Sequence, residues 1–191
     1  MTGVQTCALP ISAFAIQAQG GGIYDQAALV LTGSRVTDNT VNSGSATVLT
    51  ASGGGLWVAG GTIRDSSVNL NIVNSAAEIP LTYLSGGGIY DTGRLTMTNS
   101  FVTFNILNTD PTSGQGLGSA STGGSIEVHG PTAFVTLNNS TLAANYALVG
   151  VSNIHQSAGG RVDPASANNY LGMGGSGGLV NGVNGNVVVG P

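Results

Sequence analysis

One phrase recurs along this chain at nearly constant distance. It reads Gly-Gly-Gly-Ile-Tyr-Asp at Gly20 to Asp25, Gly-Gly-Gly-Leu-Trp-Val at Gly53 to Val58, Gly-Gly-Gly-Ile-Tyr-Asp at Gly86 to Asp91 and Gly-Gly-Ser-Ile-Glu-Val at Gly123 to Val128. Its aliphatic residue repeats at intervals of 33 (Ile23 to Leu56), 33 (Leu56 to Ile89) and 37 (Ile89 to Ile126). A second landmark follows each time, ending Val36-Thr37-Asp38-Asn39, Val68-Asn69-Leu70-Asn71, Val102-Thr103-Phe104-Asn105 and Leu142-Ala143-Ala144-Asn145. Two landmarks in constant order and spacing describe a solenoid, in which each copy buries its apolar face against the next.

Between the landmarks the apolar residues alternate. Leu29 and Leu31, Leu95 and Met97, and Val135 and Leu137 share one side, while Val30, Thr32, Thr96, Thr98 and Thr136 take the other. That period of two belongs to half-buried strands, and no window carries the 3.6-residue spacing of an amphipathic helix. Three strand-like runs per copy, broken by Gly and Asn, predict one coil of a parallel β-helix, about five coils in all, stacked at the spacing of paired strands. Asn39, Asn71, Asn105 and Asn145 are expected at one corner, in the left-handed conformation that Asn tolerates, with their amides bonded into a ladder. Insertions between coils at Val41 to Ser52, Ser75 to Ser85 and Asn108 to Ser121 are expected to be loops.

Composition narrows the function. Only 6% of the residues are charged, lysine is absent, and the formal net charge is -4. The four arginines, Arg35, Arg64, Arg94 and Arg161, make no basic stripe, which disfavours nucleic acid. No apolar run is long enough for a transmembrane helix, so no membrane segment is expected here. Met1 to Ile11 matches the translation of a widely used sequencing-library adapter read from a GTG start codon, and residues 1–11 are set apart as an expected artefact of assembly. Cys7, the single cysteine, falls inside it. Residues 12–19 form a lead-in, 20–156 the repeats, and 157–191 a divergent Gly/Asn-rich final coil. Gly177 to Asn181 and Asn186 to Val189 echo the repeat, so the chain is expected to be a piece of a longer rod.

The chemistry-bearing residues are few. Asp25 and Asp91 occupy one position two coils apart, about 10 Å, marginal for the paired carboxylates of an inverting glycosidase, with Val58 between them; a carboxylate accepting a backbone N–H in a turn accounts for each. His129 and His155 are read as single histidines without a partner acid or second histidine, as ordinary surface or loop residues. Gly174 to Gly178 spells Gly-x-Ser-x-Gly without the helix that a nucleophile elbow needs. Gly114, Gly116 and Gly118 read as loop composition. No catalytic residue, metal ligand or cofactor is assigned. One row invites binding: if Ile23, Leu56 and Ile89 point inward, Tyr24, Trp57 and Tyr90 point outward on three successive coils, as a row for sugar rings or protein contacts or as a stabilising stack; the opposite register would put the rings inside.

The two landmarks resemble the Gly-Gly-Ala-Ile and Phe-x-x-Asn repeats of chlamydial-type polymorphic outer membrane proteins and related autotransporter-like bacterial surface proteins. The resemblance spans residues 20–145. Gly22, Gly55, Gly88 and Ser125 stand where Ala is usual, and Val36, Val68, Val102 and Leu142 where Phe is usual. It implies a right-handed parallel β-helix at the cell surface or secreted, a non-catalytic adhesin-like rod meeting glycans or proteins of host or neighbouring cells. The alternative is a piece of a β-helical polysaccharide lyase or glycoside hydrolase whose catalytic coils lie elsewhere.

Overall fold

A computed structural model describes residues 5–6, 11–12, 17–43, 50–75, 83–109, 121–148 and 150–190. β1 (Gln5–Thr6) and β2 (Ile11–Ser12) precede a coil of β3 (Gln17–Gln19), β4 (Ile23–Asp25), β5 (Leu29–Thr32), β6 (Arg35–Thr37) and β7 (Thr40–Ser43). The second coil is β8 (Thr50–Ser52), β9 (Leu56–Arg64), β10 (Ser67–Asn69) and β11 (Ile72–Ser75). The third is β12 (Tyr83–Ser85), β13 (Ile89–Thr98), β14 (Phe101–Thr103) and β15 (Ile106–Thr109). A fourth holds β16 (Ser121–Thr122), β17 (Ile126–His129), β18 (Phe134–Asn138), β19 (Thr141–Ala143) and β20 (Tyr146–Ala147). β21 (Ile154–Ser157), β22 (Arg161–Val162) and β23 (Tyr170–Leu171) make the fifth, and β24 (Val187–Val188) pairs with β23.

Each strand pairs in parallel with its counterpart one coil away, so the chain is a parallel β-helix. The coil has four sheets rather than three runs. The additional one, β3-β8-β12-β16, lies where loops were expected, and β7, β11 and β15 also extend into those intervals. Sequences such as Thr50-Ala51-Ser52 are too short and too small to announce a strand, and only the rung below gives them a partner. The rest of the intervals, 44–49, 76–82 and 110–120, lies outside the described residues, as do Cys7, Gly114, Gly116 and Gly118.

Inward side chains form columns. Leu56, Ile89, Ile126 and Ile154 are one, and Val36, Val68, Val102, Leu142 and Leu171 another; both are buried in the main core. A smaller core stacks Val41, Val73, Leu107 and Ala147 beside Ala18, Ala51 and Leu84. Alternation holds as read: Leu31 is buried while Val30 beside it is 75% exposed.

The asparagine corner holds the ladder but not the expected backbone. Asn39 donates from its backbone N (3.2 Å) and Nδ2 (2.9 Å) to Asn71 Oδ1. Asn71 repeats this toward Asn105, and Asn105 toward Asn145. The left-handed residues are the ones before: Asp38 (φ 59°), Leu70 (57°), Phe104 (56°) and Ala144 (54°). One left-handed residue turns the chain, and the next side chain is thereby aimed inward, where it is buried and must be bonded. The same device recurs at a second corner, where Ser34, Ser66, Ser100 and Ser140 run into Asn169, each backbone N–H bonded to the next side-chain oxygen.

The third glycine of the phrase has its own cause. A Cβ on Gly55 would lie 2.7 Å from Val68 Cγ1 and 2.8 Å from Asn71 Nδ2, and Gly22 and Gly88 are crowded in the same way. Glycine stands there because the valine and the ladder amide of the same coil pack against it. In the fourth coil Ser125 takes the place, and its buried hydroxyl has no hydrogen-bond partner.

Candidate groove and polar cluster

Outward from the core, strand register sets a second group of columns. Tyr24, Trp57, Tyr90, Glu127 and His155 lie on successive rungs. The column Gln19, Ser52, Ser85 and Thr122 lies on the neighbouring sheet. Between them runs a cleft of about 470 Å³ lined by the second column, by Tyr90, Glu127 and His155 of the first, and by Thr50, Tyr83, His129 and Ser157, with Tyr24 and Trp57 outside its lining. A sharp corner, made by left-handed Gly20, Gly53, Gly86 and Gly123, joins the two sheets and repeats the cleft at every rung.

The three aromatic residues stack as one row. Tyr24 and Trp57 have ring centroids 4.7 Å apart at an interplanar angle of 29°, and Trp57 and Tyr90 are 6.1 Å apart at 20°. Tyr90 stacks on His129 in turn, at 5.4 Å. Trp57 therefore has both ring faces against neighbouring rings, and its Nε1–H is buried without an acceptor. Edges and the Tyr24 hydroxyl are what the row turns outward. The Tyr90 hydroxyl is pushed up to about 12, chiefly by burial and then by the Glu127 charge beside it.

The histidines are not the isolated loop residues that the sequence suggests. His155 Nδ1 lies 2.9 Å from Glu127 Oε2, and Ser157 Oγ donates to Glu127 Oε1. His129 Nδ1 is 2.8 Å from Ser157 Oγ. Since the single Ser157 proton goes to the carboxylate, His129 donates its own Nδ1–H to Ser157 Oγ, and His155 likewise donates to Glu127. Glu127 is 2% exposed, yet both of its oxygens are bonded. The reason for the miss lies in the last interval: Ile154 follows Ile126 by 28 residues, and Ser152-Asn153-Ile154 lacks the Gly-Gly that marks the other coils. Ile followed by a ring, Ile154-His155, was the signal left to read.

Asp25 and Asp91 stand in register with Val58 between them, as the spacing implies. Each accepts a backbone N–H two residues on, from Ala27 (2.7 Å) and Gly93 (3.1 Å). Asp91 is fully buried in the column between Val58 and Val128, with Oδ2 unpartnered. Burial pushes its carboxyl up to about 7, against the lowering by the Gly93 and Gly60 N–H groups. It faces the core, away from the cleft.

Among the described residues no group of three or more His, Cys, Asp or Glu is placed to hold a metal ion, and no helix is long and apolar enough to cross a membrane. Comparison with protein-family models, with curated proteins and with solved structures finds no match to this chain.

Proposed function

We propose that this chain forms a non-catalytic, surface-exposed or secreted β-helical rod that binds a linear glycan along the groove. The observation carrying this is the pair of columns themselves. A wall of hydroxyls and an amide (Gln19, Ser52, Ser85, Thr122) faces Tyr90, Glu127 and His155, one set of groups per rung, in the column that Trp57 and Tyr24 continue along the rod. Rungs are about 4.8 Å apart, close to the length of one pyranose unit, so a linear glycan lying along the rod meets the same donors and acceptors at each sugar. Hydroxyl-rich clefts edged by aromatic residues suit sugars, which combine apolar C–H faces with dense hydroxyls.

The surface location and the adhesin-like role rest on the resemblance of the Gly-Gly-x-Ile and Val-x-x-Asn phrases to bacterial surface repeats. Among the described residues the one carboxylate lining the groove, Glu127, is engaged by Ser157 and His155, an arrangement suited to holding a wall together. A glycan array and a cell-adhesion assay on the chain test the reading, with circular dichroism to confirm the β fold. Retention of linear glycans, weakened in Ser85→Leu, is the expected result. A folded chain that binds neither glycans nor cells refutes it, and depolymerisation of a bound glycan replaces it with the polysaccharide-cleaving alternative.

A further inference from the structure

A second recess, separate from the groove, lies at the bend of the long strands. It is lined by Thr92, Gly93 and Arg94 of β13, by Pro131, Thr132 and Ala133 in the turn before β18, by Phe134 and by Arg161 of β22. The bend comes from a register shift between Asp91 and Arg94. It leaves Thr132 Oγ1 donating to Thr92 O at 3.1 Å across the recess. On three consecutive rungs the register reads Arg94, Phe134, Arg161. The Arg94 guanidinium carbon lies 5.0 Å from the centroid of the Phe134 ring.

Both arginines are exposed, and neither is within salt-bridge distance of a carboxylate among the described residues. This is an uneven use of scarce charge. The chain has four arginines against eight acids, and two of the four line one recess whose described lining holds no acid. The nearest acid in sequence to Arg161, Asp163, is occupied by the Thr136 hydroxyl and the Ala165 N–H. Stacking on Phe134 also orders the Arg94 fork before any ligand arrives, which lowers the entropy lost on binding.

We infer that this recess binds the carboxylates of an acidic linear glycan, a polyuronate, with Arg94 and Arg161 as the carboxylate forks and Phe134 as the apolar platform between them. Arginine matches a carboxylate through two parallel N–H···O bonds. The two forks stand two rungs apart, about 10 Å, which places them on alternate sugars of a chain running along the rod. A sugar's apolar C–H groups meet the part of the ring that Arg94 leaves uncovered, and the threonine hydroxyls flank it. Nucleic acid is the poorer occupant, because two arginines neutralise too few phosphates. The site does not depend on the groove: neutral glycans belong there, and acidic ones here.

Titration calorimetry with a short oligogalacturonate, alongside a neutral cello-oligosaccharide, tests the assignment on the whole chain. Arg94→Gln with Arg161→Gln is expected to weaken oligogalacturonate binding at least about tenfold, the scale of one lost charge-assisted pair. Arg35→Gln with Arg64→Gln removes the same charge from elsewhere and should leave it unchanged; neutral-oligosaccharide binding should be unaffected by either pair. Added salt should weaken only the acidic ligand. The inference is overturned by failure of oligogalacturonate to bind the folded wild-type chain, by equal losses in the two double variants, or by an Arg94/Arg161 loss that extends to the neutral ligand. Failure of the neutral ligand to bind, or neutral binding left unchanged by the groove variant Ser85→Leu, would sink the groove reading and leave this one standing.

Discussion

Asp91 should make this rod less stable as pH rises, and Asp91→Asn should remove that dependence. Its carboxyl lies between Val58 and Val128 in an aliphatic column, one oxygen holding the Gly93 N–H and the other without a partner. Burial carries it from 3.8 to about 7. A carboxyl whose folded value lies above its unfolded value keeps its proton more tightly in the folded state. Its contribution is therefore fully present below about pH 4, is lost as pH rises through about 7, and is level above that. Three pH units correspond to about 4 kcal/mol, an upper figure because a strained carboxylate can draw in water. Asn keeps an oxygen for Gly93 N–H and never ionises. Urea unfolding of both proteins from about pH 4 to about pH 8 measures the effect through the difference between them, which cancels every other titrating group. Near-equality at the acid end is expected, opening to an advantage of 2 to about 4 kcal/mol for the variant above pH 7. A difference that stays constant across the range refutes the reasoning, since it would mean that Asp91 titrates as a solvated carboxyl.

Two further perturbations probe the corners. Asn71→Ala removes the middle of the ladder, taking the Oδ1 acceptor from the Asn39 backbone N–H and amide and the Nδ2 donor from Asn105 Oδ1 and the Val36 carbonyl; a loss of about 3–5 kcal/mol is expected from several buried hydrogen bonds removed together, read as a lower urea midpoint, and a loss under about 1 kcal/mol would show that the ladder carries little stability. Phe104→Asn, at a left-handed corner where Phe104 is 55% exposed, should stabilise by about 1 kcal/mol in thermal unfolding; destabilisation would mean that the exposed ring makes a contact worth more than the backbone strain.

The repeat, the parallel β-helix, the alternation of each strand, the serial asparagine ladder and the stacking of Tyr24, Trp57 and Tyr90 on successive rungs are all legible in the chain before it folds. These are local or periodic properties: a residue's face follows from a period of two, and its neighbour along the rod from the interval between landmarks. Tertiary structure decided whatever depended on a partner outside that pattern. The short strands β8 and β12 exist because the adjacent rung completes their hydrogen bonds. The left-handed residue fell on Asp38, Leu70, Phe104 and Ala144, one before each asparagine, because the buried amide must follow the turn rather than make it. Glu127, Ser157, His129 and His155 met only when an unmarked fifth coil closed with its own interval, and Arg94 met Phe134 and Arg161 only through the register of three rungs. Charge and hydrogen bonding act across space, so a single residue's partner is legible in a solenoid's sequence only where the period is kept.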